Sequence, residues 1–273
     1  MELAEFARTI LTCPVIQTKV ERPATAFTDF EPGKPFRIEK PARPDNLQFA
    51  PRRTAPSMPK PQAFHDQSKV AVAHHIMANH ELQALEVMAM VMLAFPDVET
   101  EFRLGLAAIM VDEQRHTKMH IRRASELGLE FGDLPVNSYI WQKSMSYQSA
   151  LQYIAGLPLV FEAANLDHTV ELEAIFQKHG DTKSASIMKS IHNDEIQHVE
   201  FGMTWLRKWK NPDQSDFEAW QQNLEWPMRP SKARGHQFQA EARRKAGMDE
   251  EFVTQAKTWV EDEDEQQSSR NSG

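Results

Sequence analysis

Asp112-Glu113-Gln114-Arg115-His116 recurs as Asp194-Glu195-Ile196-Gln197-His198, and a glutamate precedes each copy at nearly the same distance. Glu81 stands 32 residues before Glu113, and Glu162 stands 33 before Glu195. The copies are in register: Glu81 and Glu162 are 81 apart, Glu113 and Glu195 82 apart, His116 and His198 82 apart. Within each Glu-x-x-His, positions i and i+3 share one helix face, so both side chains can reach one metal ion. Four carboxylates and two imidazoles in two equivalent halves are the donor set that two metal ions take in the core of a four-helix bundle. A single Glu-x-x-His is a weak signal, and a single glutamate is more often a surface charge. The matched repeat is what carries weight.

The chain around the repeat reads as four long helices in two hairpins. His65 to Phe95 is apolar at helical spacing and is stopped by Pro96; Glu99 to Leu127 follows and ends at Gly128. A connection over 128–145 leads to a third helical stretch from Ser146 to His179, interrupted or kinked near Gly156 and Pro158. Gly180-Asp181 turns the chain into a fourth, from Thr182 to Trp209. Glu81 and Glu113 each lie about 16 residues from the first turn, roughly 24 Å at the helical rise, so they sit at one height. Glu162, Glu195 and His198 lie at similar distances from the second. The ligand faces are otherwise apolar, through Met77, Leu85, Leu106, Ile109, Leu159, Leu166, Met188 and Ile191 among others. Buried carboxylates need a positive partner, and four of them with two neutral imidazoles balance two divalent cations.

Composition bounds the rest. The 273 residues are long enough for one sizeable core with arms around it, and 41% hydrophobic with 26% charged content is ordinary for a soluble globular protein. A net charge of −8 argues against a sequence-independent grip on nucleic acid. The single cysteine, Cys13, excludes an intramolecular disulfide, an all-cysteine zinc site and an internal iron–sulfur or rubredoxin module. The start lacks a secretory pattern and no apolar run is long enough to span a membrane, so a cytoplasmic protein is expected.

The expected organisation is an all-α fold. A proline-rich arm over residues 1–63 packs on the bundle, with a short amphipathic helix in its first twelve residues. It holds ten of the sixteen prolines, from Pro14 to Pro61, and its interspersed phenylalanines favour packing over disorder. The bundle occupies 64–210, a C-terminal arm with a helix near 235–259 occupies 211–260, and an acidic disordered tail 261–273.

Several neighbours of the six ligands have blander readings. Glu86 rivals Glu81, but its gap of 27 to Glu113 breaks the repeat. Asp112 and Asp194 are candidates to hold the second ring nitrogen of each metal-bound histidine, or else are exposed helix charges. His74, His120 and His192 are more often hydrogen-bonded histidines than ligands. Met88, Met90 and Met92 read as core filling rather than a copper site.

At these residues the chain resembles the ferritin-like di-metal carboxylate superfamily. Its pattern is similar to the duplicated Glu…Asp-Glu-x-Arg-His signature of bacterial multicomponent monooxygenases and ribonucleotide reductase small subunits. The first copy fits fully, while the second has Gln197 where Arg is usual. Nearly the whole chain more closely resembles the bacterial ferritin-like family known as domain of unknown function 455. That likeness rests on Pro41-Ala-Arg-Pro44 with Pro51-Arg-Arg53, His80-Glu-Leu-Gln-Ala-Leu-Glu86, Gly132-Asp-Leu-Pro135 and Phe161-Glu-Ala-Ala-Asn-Leu-Asp167. Distant kinship to the tRNA hydroxylases fits the same pattern.

The resemblance implies two iron ions, or manganese in their place, with Glu113 and Glu195 bridging and the other ligands terminal. The leading expectation is an oxidoreductase that activates dioxygen or peroxide to oxidise an organic substrate, a small molecule or a modified RNA. The alternative is a ferroxidase- or catalase-type protein that handles metal or peroxide. No tyrosine lies a turn or two beyond either histidine ligand, which argues against a radical-generating subunit. One cysteine cannot build a rubrerythrin iron module, so electrons come from a separate donor or peroxide serves directly. The long arms favour a monomer or dimer over a storage cage.

Overall fold

A computed structural model describes residues 1–260, so the tail expected at 261–273 lies outside the described residues. The described chain is helical; it carries no strand among those residues, and its bridges Glu2–Thr28 and Phe49–Val136 are isolated. It divides into two compact units. The first comprises residues 1–145 with 175–187, the second 146–174 with 188 onward.

The first unit contains α1 (Leu3–Thr12), α2 (Ile16–Val20), α3 (Gln67–Ala94), α4 (Thr100–Glu126) and α5 (Tyr139–Ser144). Asp66 caps α3 by accepting from Ser68 N at 2.8 Å, which starts the helix two residues later than the hydrophobic pattern alone suggests. Pro96 cannot continue α3, and α4 folds back along it. α4 ends where Gly128 takes φ 84° and Leu129 N reaches back to Ala124 O at 3.0 Å, tying off the last carbonyls.

α3 is buried on nearly every side, which an ordinary surface helix is not. The first 66 residues explain this: α1 packs along α3, and Phe36 N donates to Leu93 O at 2.8 Å. Buried ion pairs stitch the segment down. Lys19 Nζ lies 2.6 Å from Glu86 Oε1, Arg43 Nη2 lies 2.6 Å from Glu86 Oε2, and Arg103 Nε lies 2.8 Å from Asp29 Oδ2. Gln114 on α4 adds a bond to Lys19 O at 2.7 Å. Met88, Met90 and Met92 are fully buried core residues. α5 falls inside the stretch expected to be a plain connection; its Trp141 is held by Gln83 on one side and Glu39 O on the other.

The second unit contains α6 (Ala150–Gly156), a π turn (Leu157–Glu162), most of α7 (Ala163–Lys178) and α8 (Thr182–Trp209), then α9 (Asp216–Gln222), α10 (Ala240–Lys245) and α11 (Glu250–Thr258). The interruption or kink expected near Gly156 and Pro158 falls at a π turn. The helix runs on, and the π turn absorbs Pro158, whose missing N–H would leave a gap in an α ladder. The turn between α7 and α8 uses Gly180 at φ 77°, with Asp181 N bonded to Phe176 O at 2.9 Å. The helix expected near 235–259 is two helices, because Asp249 caps a fresh start by accepting from Phe252 N. Phe217, Trp220 and Phe252 cluster with ring centroids 5.0–5.4 Å apart, and Arg243 clamps the buried Asp167 of α7 at 2.7 Å. No described helix is long and apolar enough to cross a membrane.

Candidate functional site

Each unit brings together one half of the repeat. In the first, Glu81 lies 13 residues before the end of α3 and Glu113 lies 13 after the start of α4, so the hairpin sets them level. One ligand atom from each of Glu81, Glu113 and His116 lies within 4.8 Å of the other two, and all three side chains are buried or nearly so. These three could hold a metal ion.

In the second unit Glu162 is the last residue of the π turn, while Glu195 and His198 face inward from α8. Glu162 and His198 offer ligand atoms within 4.8 Å of each other. The Glu-x-x-His geometry is the same in both copies: His116 Nδ1 is 3.6 Å from Glu113 Oε2, and His198 Nδ1 is 3.6 Å from Glu195 Oε2. That is too long for a hydrogen bond. It suits two donors on one cation, which at roughly 2.0–2.2 Å each can stand up to about 4.4 Å apart.

Electrostatics separates candidate ligands from structural carboxylates. Glu86 is fully buried and neutralised by Lys19 and Arg43. Glu195 is equally buried, yet no lysine or arginine pairs with it among the described residues. Asn165 Nδ2 donates to its Oε1 at 3.0 Å, and its Oε2 has no hydrogen-bond partner. Glu81 is 8% exposed, and the basic group beside it is His120 Nε2, 3.7 Å from Oε1. A buried carboxylate that the chain supplies with no cation fits a site whose positive charge comes from outside.

Asp112 is 38% exposed and pairs with Arg115 at 3.3 Å; Asp194 is half-buried. His74, His120 and His192 are all hydrogen-bonded. His74 Nδ1 meets His120 Nδ1 at 2.8 Å, and His192 Nδ1 meets Thr169 Oγ1 at 3.0 Å. Burial pushes the pKa of His74 well below the usual imidazole range, with His120 and Arg123 adding to the shift. Burial also lowers that of His192, opposed in part by Glu195.

Two participants escaped the sequence reading. Asn165 is three residues after Glu162, the same i, i+3 spacing as Glu-x-x-His, and that spacing was the available signal. The other is Ser184, whose bond to His74 joins residues 110 positions apart, which periodicity along one helix does not show.

An all-helical chain carrying two buried carboxylate–histidine clusters is thus defined. The chain belongs to the family described as "Protein of unknown function (DUF455)", which matches residues 12–254. It is similar to an uncharacterized protein of Haemophilus influenzae, 24% identical over 172 residues; the match spans 59% of this chain and 60% of that protein's length. No solved structure matches the chain significantly.

Proposed function

We propose that the chain is a di-metal carboxylate protein whose two half-sites, Glu81, Glu113 and His116 in one and Glu162, Glu195 and His198 in the other, supply the ligands of two metal ions. The fold would be of the ferritin-like four-helix-bundle class. The protein is then an oxidoreductase that uses dioxygen or peroxide to oxidise an organic substrate, a small molecule or a modified RNA. The observation that carries this reading is the repeated half-site: two Glu-x-x-His pairs with the same 3.6 Å nitrogen–oxygen spacing in buried surroundings.

Iron, or manganese in its place, would supply the redox chemistry when bound. The chain's residues do the remainder. Four carboxylates and two imidazoles offset the charge of two divalent ions. Asn165 occupies Oε1 of Glu195 and leaves Oε2 for a metal. Apolar neighbours such as Leu106, Leu159 and Met188 keep bulk water from the site. With one cysteine in the chain, reducing equivalents for dioxygen come from a separate donor, or peroxide serves directly as the oxidant.

Protein expressed with iron, and separately with manganese, is expected to hold about two metal ions per chain. Glu113→Ala or Glu195→Ala should lower that sharply. Wild-type protein that contains no metal and takes none up on reconstitution would sink the reading. Comparing metabolites and tRNA modifications in a strain lacking the gene would then identify the substrate.

A further inference from the structure

Phe30 is the most exposed of the large apolar side chains described, at 84%, and yet its backbone is tied down. Phe30 N and Glu31 N each donate to Glu2 Oε2 at 3.0 Å, and Thr28 Oγ1 donates to Glu2 Oε1. The buried Arg103 of α4 donates to both oxygens of Asp29, the residue before, at 2.8 and 3.0 Å. A single exposed apolar residue needs no explanation. An aromatic ring fixed outward on a rigid frame is different, because covering it costs little ordering entropy, as an interface anchor requires.

The same stretch of chain borders a groove against the outer face of α4. Arg22, Ala24 and Phe27 line it from the arm, Ala108, Val111 and Asp112 from the helix, and it measures about 520 Å³. Its arm side is fixed as well. Phe27 packs on Phe6 with ring centroids 4.9 Å apart, and Gln114 Nε2 donates to Glu21 O at 2.9 Å. Ala24 and Ala108 are exposed, and their small side chains leave the opening clear. Arg22 is exposed and has no acidic partner among the described residues, whereas Asp112 is paired with Arg115. The groove is thus mainly apolar, with one open positive charge.

Ring and groove lie on one surface of the first unit, and the chain cannot join them by itself. Asp29 sets Phe30 level with Arg103, while the groove lies level with Ala108 to Asp112, five to nine residues further along α4. That is roughly 8–14 Å at the helical rise. The contacts with Glu2 and Arg103 hold Phe30 away from its own groove. A second copy turned about a two-fold axis meets no such barrier, since each chain then offers what the other receives. The charges agree with that occupant. Glu31 is exposed beside the ring and has no basic partner among the described residues, so it complements Arg22 of another copy.

We propose that the outer face of α4 and the 22–31 segment form a two-fold interface between copies of this chain. Phe30 of each copy enters the groove of the other, and Glu31 pairs with the other copy's Arg22. Leu104 follows Arg103 and Met1 O accepts from Thr28 N at 3.0 Å, so these two partly exposed side chains enlarge the apolar surface near Phe30. The contact needs no metal. It braces from outside the helix that turns Glu113 and His116 inward.

Sedimentation equilibrium of the full-length protein over a range of concentrations tests this. Wild-type protein should associate to a dimer and no further, because an isologous contact closes on itself. Phe30→Asp should weaken association about thirtyfold or more, the loss typical of an anchor residue. Arg22→Glu and Glu31→Arg should each weaken it, and the two together should restore it. All three side chains are exposed, so the circular dichroism of every variant should match that of the wild type. A wild-type chain that stays monomeric overturns the inference and leaves the face to a different partner. A dimer that Phe30→Asp leaves unweakened, or a charge exchange that restores nothing, overturns it as well.

Discussion

Glu81 and Glu86 stand five positions apart on α3, both buried, and differ in what neutralises them. Glu86 has Lys19 and Arg43 within 2.6 Å; Glu81 has only an imidazole at 3.7 Å among the described residues. Removing the two carboxylates should therefore have opposite consequences. Glu86→Ala leaves two buried cations without a counter-charge and is expected to cost about 3–5 kcal/mol in urea denaturation, with metal content per folded chain unchanged. Glu81→Ala should reduce metal content and leave the metal-free protein as stable or more so, since an uncompensated buried carboxylate is gone. Metal loss from Glu86→Ala at unchanged stability would reverse the two roles. Spacing along α3 favoured Glu81, but it could not reveal the partners of Glu86, which lie 67 and 43 residues upstream.

At the scale of elements, the π turn and α8 determine where the second half-site sits. Glu162 closes the π turn, and α8 approaches that turn through Gly202, one helical turn beyond His198. A Cβ at Gly202 would lie 2.7 Å from Pro158 Cβ, part of a rigid ring, and 3.0 Å from Leu159 Cδ2. Gly202→Ala is thus expected to force α8 away from the turn and lower stability by about 1–3 kcal/mol. Thermal unfolding measures this, and an unchanged midpoint would show that the contact yields freely. Gly202 and Pro158 were both visible in the sequence, Pro158 at an expected interruption or kink. That they touch was not, because 44 residues and a turn separate them.

For the molecule as a whole, buried histidines should make stability depend on pH. Burial lowers the pKa of His74, His75, His168 and His192 below 6.5, most strongly for His74. Below pH 6.5 the unfolded chain binds protons that the folded chain does not, so stability is fully present above that value. It is lost as pH falls towards the folded-state pKa values. The urea midpoint of the metal-free protein should accordingly decline between pH 7 and pH 5. His74→Gln should make the decline shallower by up to about 1.4 kcal/mol per pH unit, one proton's worth. A midpoint that stays flat in wild-type protein over this range would contradict the burial of neutral imidazoles.

The helices and the two glutamate–histidine clusters could be read from the chain alone, because helical period, turn residues and a duplicated spacing are local properties that each segment carries with it. α3 and α4 were legible to within a few residues, and the level placement of Glu81 and Glu113 followed from equal distances to one turn. Tertiary structure alone decided the rest. It assigned Lys19 and Arg43 to Glu86, gave the interruption at Pro158 the form of a π turn, and linked His120 through His74 and Ser184 to Asp181. Neutralising a buried charge or satisfying a buried ring nitrogen depends on which atoms meet in space. The residues that meet there come from segments whose own patterns give no sign of one another.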